Sequence, residues 1–277
     1  MDYLYHYTSI ETLALILSNK TLCFNNLLNV DDIEEAETFD MGKFGRFVYV
    51  SCWTSDERES IPLWNLYTPD MHGVRIKLPI YPFKKYSYKK DEYFFEEDIE
   101  TYINIERLYE ENKVSIVPGQ PKLLEVQYTD DSEKLYPKVR TVSSEEEFQY
   151  YLKSGKIKNE SIKTSYEFEN VGKYKRTVWS FQKEWRYIYY VSPMGLKEAN
   201  PPTFEKHREL IRRIEDREYK PAYTKMFLEL DDNSLENVEV LCGPRMNDAE
   251  KVIVKALLKE YCPNGIYKES KLKINRK

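Results

Sequence analysis

The chain has 277 residues, of which 41% are hydrophobic and 32% charged, so it can build a core but has no run near the ~18 apolar residues of a membrane helix. The 47 acidic and 42 basic residues give a formal net charge of −5, which argues against non-specific DNA binding. Nine glycines form no dinucleotide-binding or phosphate-loop motif, and four cysteines without a Cys-x-x-Cys pair predict neither a metal site nor disulfides.

The first two elements are predicted to be a strand that runs directly into a helix. Residues 3–8 alternate, with three tyrosines on one side and His6 on the other. Ser9 is placed to cap a short amphipathic helix, because apolar residues follow it at helical spacing. This stretch has no basic leader and no cleavage site, so we expect a cytoplasmic protein.

The next segments predict further strands and a peripheral helical region. Residues 46–55 are rich in β-branched and aromatic side chains, which is typical of a buried strand. A short helix over residues 60–67 precedes a strand that begins after Gly73. Residues around 84–120 mix tyrosines with charges and show a helical period only in their second half, so we expect a helical insertion there.

The carboxyl-terminal half alternates irregularly between strands and helices. Residues 122–130 predict a strand, and a capping-box pattern opens a helix at Ser144. Residues 176–193 begin like a helix and continue as a strong strand. Asn247 is placed to cap a later helix, and a last strand closes the chain. Since no repeat or low-complexity linker is present, we expect one α+β domain over residues 1–277.

Three groups of residues are candidates for a functional site. His6 is a solitary histidine of the first strand, and Glu184 shares a predicted strand face with Gln182 and Arg186. Two aromatic rings three residues apart on the predicted helix could wall a pocket for a flat ligand, namely Trp64 and Tyr67. Each group has a structural alternative: a hydrogen-bonded core histidine, a cross-strand ion pair and packed core aromatics.

Two charged clusters are assigned no chemistry. The acidic run from Asp31 to Glu35 lacks EF-hand spacing, so a solvated loop or helix start is favoured over a metal site. A lysine cluster could guide a nucleic-acid strand, although such clusters are more often solvated surface; its members are Lys84, Lys85, Lys89 and Lys90.

A succession of short motifs resembles the bacterial family named domain of unknown function 2971, over nearly the whole chain except residues 80–170. The motifs are Tyr5-His6-Tyr7-Thr8-Ser9, Asp31-Asp32-Ile33-Glu34-Glu35, Ser51-Cys52-Trp53, Trp64-x-x-Tyr67, Gly73-Val74, Glu184-Trp185-Arg186, Gly243-Pro244 and Lys268-Glu269-Ser270-Lys271-Leu272. The family commonly has Asn-Asp-Pro and then a glutamate two residues on, whereas this chain has Asp31-Asp32-Ile33 and Glu35.

That family in turn looks like a distant branch of the ADP-ribosyltransferases. The resemblance implies a split, mainly antiparallel β-sandwich of two small sheets with peripheral helices, and NAD as the substrate. It implies that His6 binds the nicotinamide ribose and that Glu184 is the catalytic glutamate. The residues around the NAD would be Tyr7, Trp64, Tyr67, Gln182 and Arg186. Tyr7, Tyr49 and Tyr67 remain alternatives for the aromatic wall.

Three functions follow as hypotheses. The first is an NAD-dependent mono-ADP-ribosyltransferase, as in a toxin or phage-defence effector, with a protein, nucleic-acid or small-molecule acceptor. The second is an NAD glycohydrolase that uses the same cleft with water as the acceptor. The third is a non-catalytic ligand-binding or protein-binding module, which the 24 tyrosines motivate because tyrosine supplies contact area at low entropic cost.

Overall fold

A computed structural model describes residues 1–157 and 162–275 and shows a mixed α+β fold. The helices are α1 (Ile10–Asn19), α2 (Ile61–Tyr67), α3 (Ile105–Glu111), α4 (Ser132–Leu135), α5 (Glu145–Ser154), α6 (Leu196–Ala199), α7 (Phe204–Glu215), α8 (Asp232–Glu236) and α9 (Asp248–Tyr261). Short 3-10 helices span Leu27–Asn29, Ile33–Ala36, Phe44–Phe47, Pro69–Met71, Glu92–Phe94 and Thr177–Gln182.

The strands are β1 (Tyr3–Thr8), β2 (Thr21–Asn26), β3 (Val48–Thr54), β4 (Val74–Pro79), β5 (Tyr86–Tyr88), β6 (Ile99–Thr101), β7 (Ser115–Ile116), β8 (Lys122–Glu125), β9 (Gln127–Tyr128), β10 (Arg140–Val142), β11 (Thr164–Tyr166), β12 (Tyr174–Lys175), β13 (Glu184–Ser192), β14 (Lys225–Glu229), β15 (Glu239–Cys242) and β16 (Ile266–Glu269). Ten of them form one mostly antiparallel sheet, whose main path is β14-β2-β3-β1-β4-β15-β16. The strands β13, β7 and β8 join it beside β3, and three two-stranded sheets lie apart.

The large sheet divides at β3. Strand β13 pairs with the whole length of β3, from Glu184 opposite Thr54 to Tyr190 opposite Val48. On the other side of β3, β1 pairs only at Thr54, and β2 pairs only with Val50 and Tyr49. Neither β1 nor β2 pairs with residues 51–53, so the two strands diverge there. Helix α1 connects β1 to β2 across this gap.

The helices begin where the sequence supplies capping side chains. The hydroxyl of Ser9 accepts a hydrogen bond from the Thr12 backbone N–H at the start of α1, and Ser144 does the same for Glu147 in α5. Helix α9 has a full capping box between Asn247 and Glu250. These three caps agree with the sequence pattern, and burial of one face of α1 and α9 then attaches these helices to the sheet.

The expectation of a mixed α+β fold with mainly antiparallel strands is confirmed. The expectation of two separate small sheets is not met as stated, because the full-length pairing of β13 with β3 joins both halves into one sheet. The segment 84–120, expected as a helical insertion, contains the α-helix α3 and the 3-10 helix Glu92–Phe94, together with the hairpin of β5 and β6 and the short strand β7.

Candidate functional site

A cleft of about 610 Å³ opens where β1 and β2 diverge, within the size range of small-molecule sites. Its floor includes Ser51 and Cys52, the β3 residues beside the gap. One stripe of α1 faces it at helical spacing, formed by Thr12, Leu15, Ile16 and Asn19. The cleft therefore results directly from the divergence of the two strands and the helix that connects them.

A smaller recess of about 60 Å³ adjoins the cleft and shares five lining residues with it. Five of the seven residues predicted for the site line this recess: His6, Tyr7, Tyr67, Gln182 and Glu184. Arg186 lines the cleft but not the recess. The structure thus brings together residues that are far apart in the chain; His6 and Glu184 are separated by 178 positions.

The imidazole of His6 is held by a backbone carbonyl. Its Nδ1 lies 2.8 Å from the carbonyl oxygen of Cys52, and since a carbonyl only accepts, Nδ1 carries the proton. Burial lowers the pKa of His6, although this hydrogen bond acts in the opposite direction. The ring is consequently neutral near pH 7, and its Nε2 has no hydrogen-bond partner among the described residues.

Glu184 belongs to a buried network of four charged side chains. Its Oε1 accepts hydrogen bonds from Arg186 at 2.9 Å and 2.5 Å, and its Oε2 accepts one from Lys175 at 3.1 Å. Arg186 also binds Glu35, and the Lys175 ammonium lies 3.1 Å from the other oxygen of Glu35. Glu184 is 4% exposed, so this carboxylate is fixed in place rather than mobile.

The two carboxylates of this network have pKa values displaced in opposite directions. Burial favours a raised pKa for both. At Glu184 the positive charges of Arg186 and then Lys175 outweigh it, so the pKa is lowered. At Glu35 burial prevails over the same two cations and the nearby charge of Glu184 adds to it, so the pKa is raised. Glu184 is therefore the carboxylate of the two that ionises more readily.

The network continues to the aromatic wall of the recess. Lys175 donates a hydrogen bond to the side-chain carbonyl of Gln182 at 2.8 Å, and the Gln182 amide donates to the Tyr67 hydroxyl at 2.7 Å. Burial, followed by the charge of Asp31, raises the pKa of Tyr67, so its phenol stays neutral. The chain Glu184–Lys175–Gln182–Tyr67 fixes the Tyr67 ring relative to the carboxylate.

Other aromatic candidates have mainly structural contacts. Trp64, expected to share the wall with Tyr67, is fully buried, lines neither cavity, and donates its indole N–H to Glu59 at 3.1 Å. Tyr7 lines the recess, and its hydroxyl accepts a hydrogen bond from the Ser60 backbone at the start of α2. Tyr49 is buried and donates to the Tyr223 carbonyl. Of these four candidates, Tyr67 is the one that lines the recess and is only partly buried.

Three ionisable residues at or beside the site were not predicted from the sequence as functional: Glu35, Cys52 and Lys175. Glu35 reads as part of a solvated acidic run, and its only signal is its place two residues after the position of the family's Asn-Asp-Pro turn. Lys175 gives no signal, because it follows a lysine- and tyrosine-rich stretch without a motif. The thiol of Cys52 lies beside Glu184; burial and then that carboxylate raise the pKa of Cys52 well above its ordinary value.

Two other residues of the acidic run from Asp31 to Glu35 have structural contacts. Asp32 caps the 3-10 helix Ile33–Ala36, and Glu34 pairs with Arg176 and Tyr136. In the part of the chain that the structure describes, no group of three or more His, Cys, Asp or Glu side chains is arranged to hold a metal ion. No helix within those residues has the length and apolar character needed to cross a bilayer.

Comparison with known proteins adds no relative. No family model matches the chain, and no curated protein and no solved structure is significantly similar to it. The resemblance to the family of domain of unknown function 2971 therefore stays a prediction, and functional inference depends on the site geometry.

Proposed function

We propose that this protein is an NAD-consuming enzyme of the ADP-ribosyltransferase type, with the nicotinamide end of NAD in the recess and the adjoining ribose at the start of the cleft. One observation carries the proposal: His6, Tyr67 and Glu184, which the sequence motifs single out independently of the fold, line a single recess at the divergence of β1 and β2. A split between these strands also agrees with the ADP-ribosyltransferase-like fold that the resemblance implies.

The chemistry requires an ionised carboxylate beside the ribose. When the bond between nicotinamide and ribose C1′ breaks, its electron pair leaves with nicotinamide and positive charge builds on the ribose. A fixed carboxylate stabilises that charge without reorganising during the reaction. The acceptor then forms a bond to C1′ and releases a proton. The lowered pKa of Glu184 and its fixed position fit this role.

Glu184 still has room for a ligand hydroxyl. A carboxylate offers about four lone-pair sites. Lys175 and Arg186 together donate three hydrogen bonds to Glu184, and the neighbouring Cys52 thiol is a weak donor. Because Cys52 and Glu184 both line the recess, a ribose hydroxyl can take the place of the thiol.

The test is nicotinamide release from NAD by wild type and by Glu184→Gln, a substitution that preserves shape and removes the charge. Glu35→Gln is the matched control, because it removes one charge from the same network but Glu35 lines neither the recess nor the cleft. Both variants are checked for folding by circular dichroism. We expect Glu184→Gln to lose about a hundredfold or more of the turnover, as when a group that stabilises transition-state charge is removed.

The comparison of the two variants decides the assignment. Full turnover in folded Glu184→Gln, or equal losses in both variants, would contradict a catalytic role for Glu184. Identifying the products then separates the remaining hypotheses. Label transferred from NAD to an acceptor in a bacterial lysate indicates a transferase, and free ADP-ribose without an acceptor indicates a glycohydrolase. No release by any folded protein indicates a binding module.

A further inference from the structure

A second cavity adjoins the cleft along β14, the strand at one end of the large sheet. This second cavity has a volume of about 200 Å³ and is lined by β14, α3 and the segment around Tyr86 and Tyr102. It shares four residues with the cleft: Asn19, Thr21, Lys225 and Phe227. Lys225 and Phe227 alternate on β14 and point to one face, so they form the junction between the cavities.

Lys225 is the one uncompensated cation at this junction. Of the lysines and arginines that line either cavity, it alone has no carboxylate partner among the described residues; Arg107 pairs with Glu111, and Lys175 and Arg186 belong to the buried network. Lys225 is exposed, and Phe227 beside it is 47% exposed. The junction thus combines a free positive charge with an open aromatic ring.

The second cavity carries unmet hydrogen-bonding capacity. The hydroxyl of Tyr86 lies near Glu229 and Asn104 but is buried without a well-formed hydrogen bond to any described residue, which is uncommon in a native structure. The Glu229 charge is balanced by Lys84 at 2.8 Å. Tyr102 and Tyr223 add flat aromatic surface. Such a set of polar edges and aromatic faces suits a nucleobase.

We propose that the second cavity binds the base of a purine nucleoside diphosphate and that Lys225 binds its phosphates. The inference rests on the proposed function, because it places the ADP half of NAD beyond the cleft. The carboxylates Glu184 and Asp31 lie toward the Tyr67 end of the cleft, so the phosphates sit away from them, beside the free cation. Attraction by Lys225 weakens with salt, since the side chain is exposed.

The test is calorimetric binding of two probes, ADP and inorganic pyrophosphate, to the full chain. Lys225→Ala is expected to weaken both probes about tenfold, the loss of a charge-assisted hydrogen bond to phosphate. Tyr86→Phe is expected to weaken ADP about fivefold and to leave pyrophosphate unchanged, since only the base reaches that hydroxyl. The controls are Lys259→Ala and Tyr261→Phe on α9, which line neither cavity.

Three results would overturn the inference: wild type binds neither probe at millimolar concentration, Lys225→Ala binds ADP as tightly as Lys259→Ala, or Tyr86→Phe weakens both probes equally. The outcome is separable from the nicotinamide-release assay. Lys225-dependent ADP binding without NAD cleavage rejects the proposed enzyme and keeps the nucleotide site. If the enzyme cleaves NAD and Lys225→Ala has the same KM for NAD as wild type, the nucleotide site is rejected and the proposed enzyme is kept.

Discussion

The imidazole of His6 replaces a missing strand-to-strand hydrogen bond: its Nδ1 lies 2.8 Å from the carbonyl oxygen of Cys52, at the residues of β3 that β1 does not pair. Without this contact the carbonyl beside the gap would need another donor. The same contact fixes the tautomer and leaves Nε2 as an acceptor in a ring that lines the recess. The His6 side chain therefore links β1 to β3 beside the gap and also supplies a hydrogen-bond acceptor to the recess.

The burial of His6 predicts a pH dependence of stability. Its pKa in the folded protein lies below the ordinary value of 6.5, so the unfolded chain takes up this proton first as the pH falls. The free energy of unfolding should therefore decrease below about pH 6.5, by at most about 1.4 kcal/mol per pH unit from this residue. Urea unfolding at pH 7.5 and 5.5 measures it. His6→Gln should lose less stability over that interval, and an identical loss would show that His6 is not the group involved.

The ring and the hydroxyl of Tyr67 should have separable effects. Tyr67→Phe removes the acceptor of the Gln182 amide and should lower the free energy of unfolding by about 1 kcal/mol, while retaining the ring that faces the recess. Tyr67→Ala removes the ring and should raise the KM for NAD about tenfold, because packing against a flat ligand is lost. Steady-state nicotinamide release on both variants checks this. Equal KM values for the Phe and Ala variants would exclude Tyr67 as a ligand wall.

Local signals explain what could be predicted from the sequence. The caps Ser9, Ser144 and Asn247 act on backbone groups within three residues, so they are visible in a short window. The alternation in β1 is likewise local. His6 and Glu184 stand out through ordered motifs, and the structure brings both to one recess.

Long-range pairing explains what could not be predicted. Glu35 and Arg186 are in contact across 151 positions, and no local pattern distinguishes Glu35 from the solvated acids around it. Burial also separates Trp64 from Tyr67: both lie on α2, yet only one ring reaches the recess, because the other packs in the core with Tyr7 and Met71. The segment 84–120 is ambiguous in sequence because its charges and tyrosines suit a short hairpin as well as a helix.

Gly172 supports the charged network through its backbone and should not tolerate a side chain. Its φ of +78° lies in the left-handed region, its carbonyl accepts a hydrogen bond from Arg186 at 2.9 Å, and an added Cβ would lie 3.3 Å from Leu27. Gly172→Ala should cost about 1–2 kcal/mol from the backbone alone, plus the displacement of Leu27. Gly42→Ala is the control, because its φ is +59° with open space around the Cβ. Chemical denaturation should give the larger loss at Gly172, and equal losses would contradict this role.

The buried network should behave differently from the exposed ion pair next to it in sequence. Lys175→Met leaves Glu35 and Glu184 buried with only Arg186 between them, which should cost about 3–5 kcal/mol in urea unfolding. Arg176→Met breaks the ion pair between Arg176 and Glu34, in which both side chains are 38% exposed. This substitution should change the free energy of unfolding far less, because solvent screens the pair.

Adding Glu35→Gln to Lys175→Met should restore part of the loss, since one uncompensated charge is removed and Arg186 then neutralises Glu184 alone. A double-mutant cycle with no coupling between the two substitutions would show that Lys175 and Glu35 act independently. Coupling would indicate that the two cations act together. Arg186 can then compensate the charge of Glu184 because Lys175 compensates the charge of Glu35, and the pKa of Glu184 stays low although the carboxylate is buried.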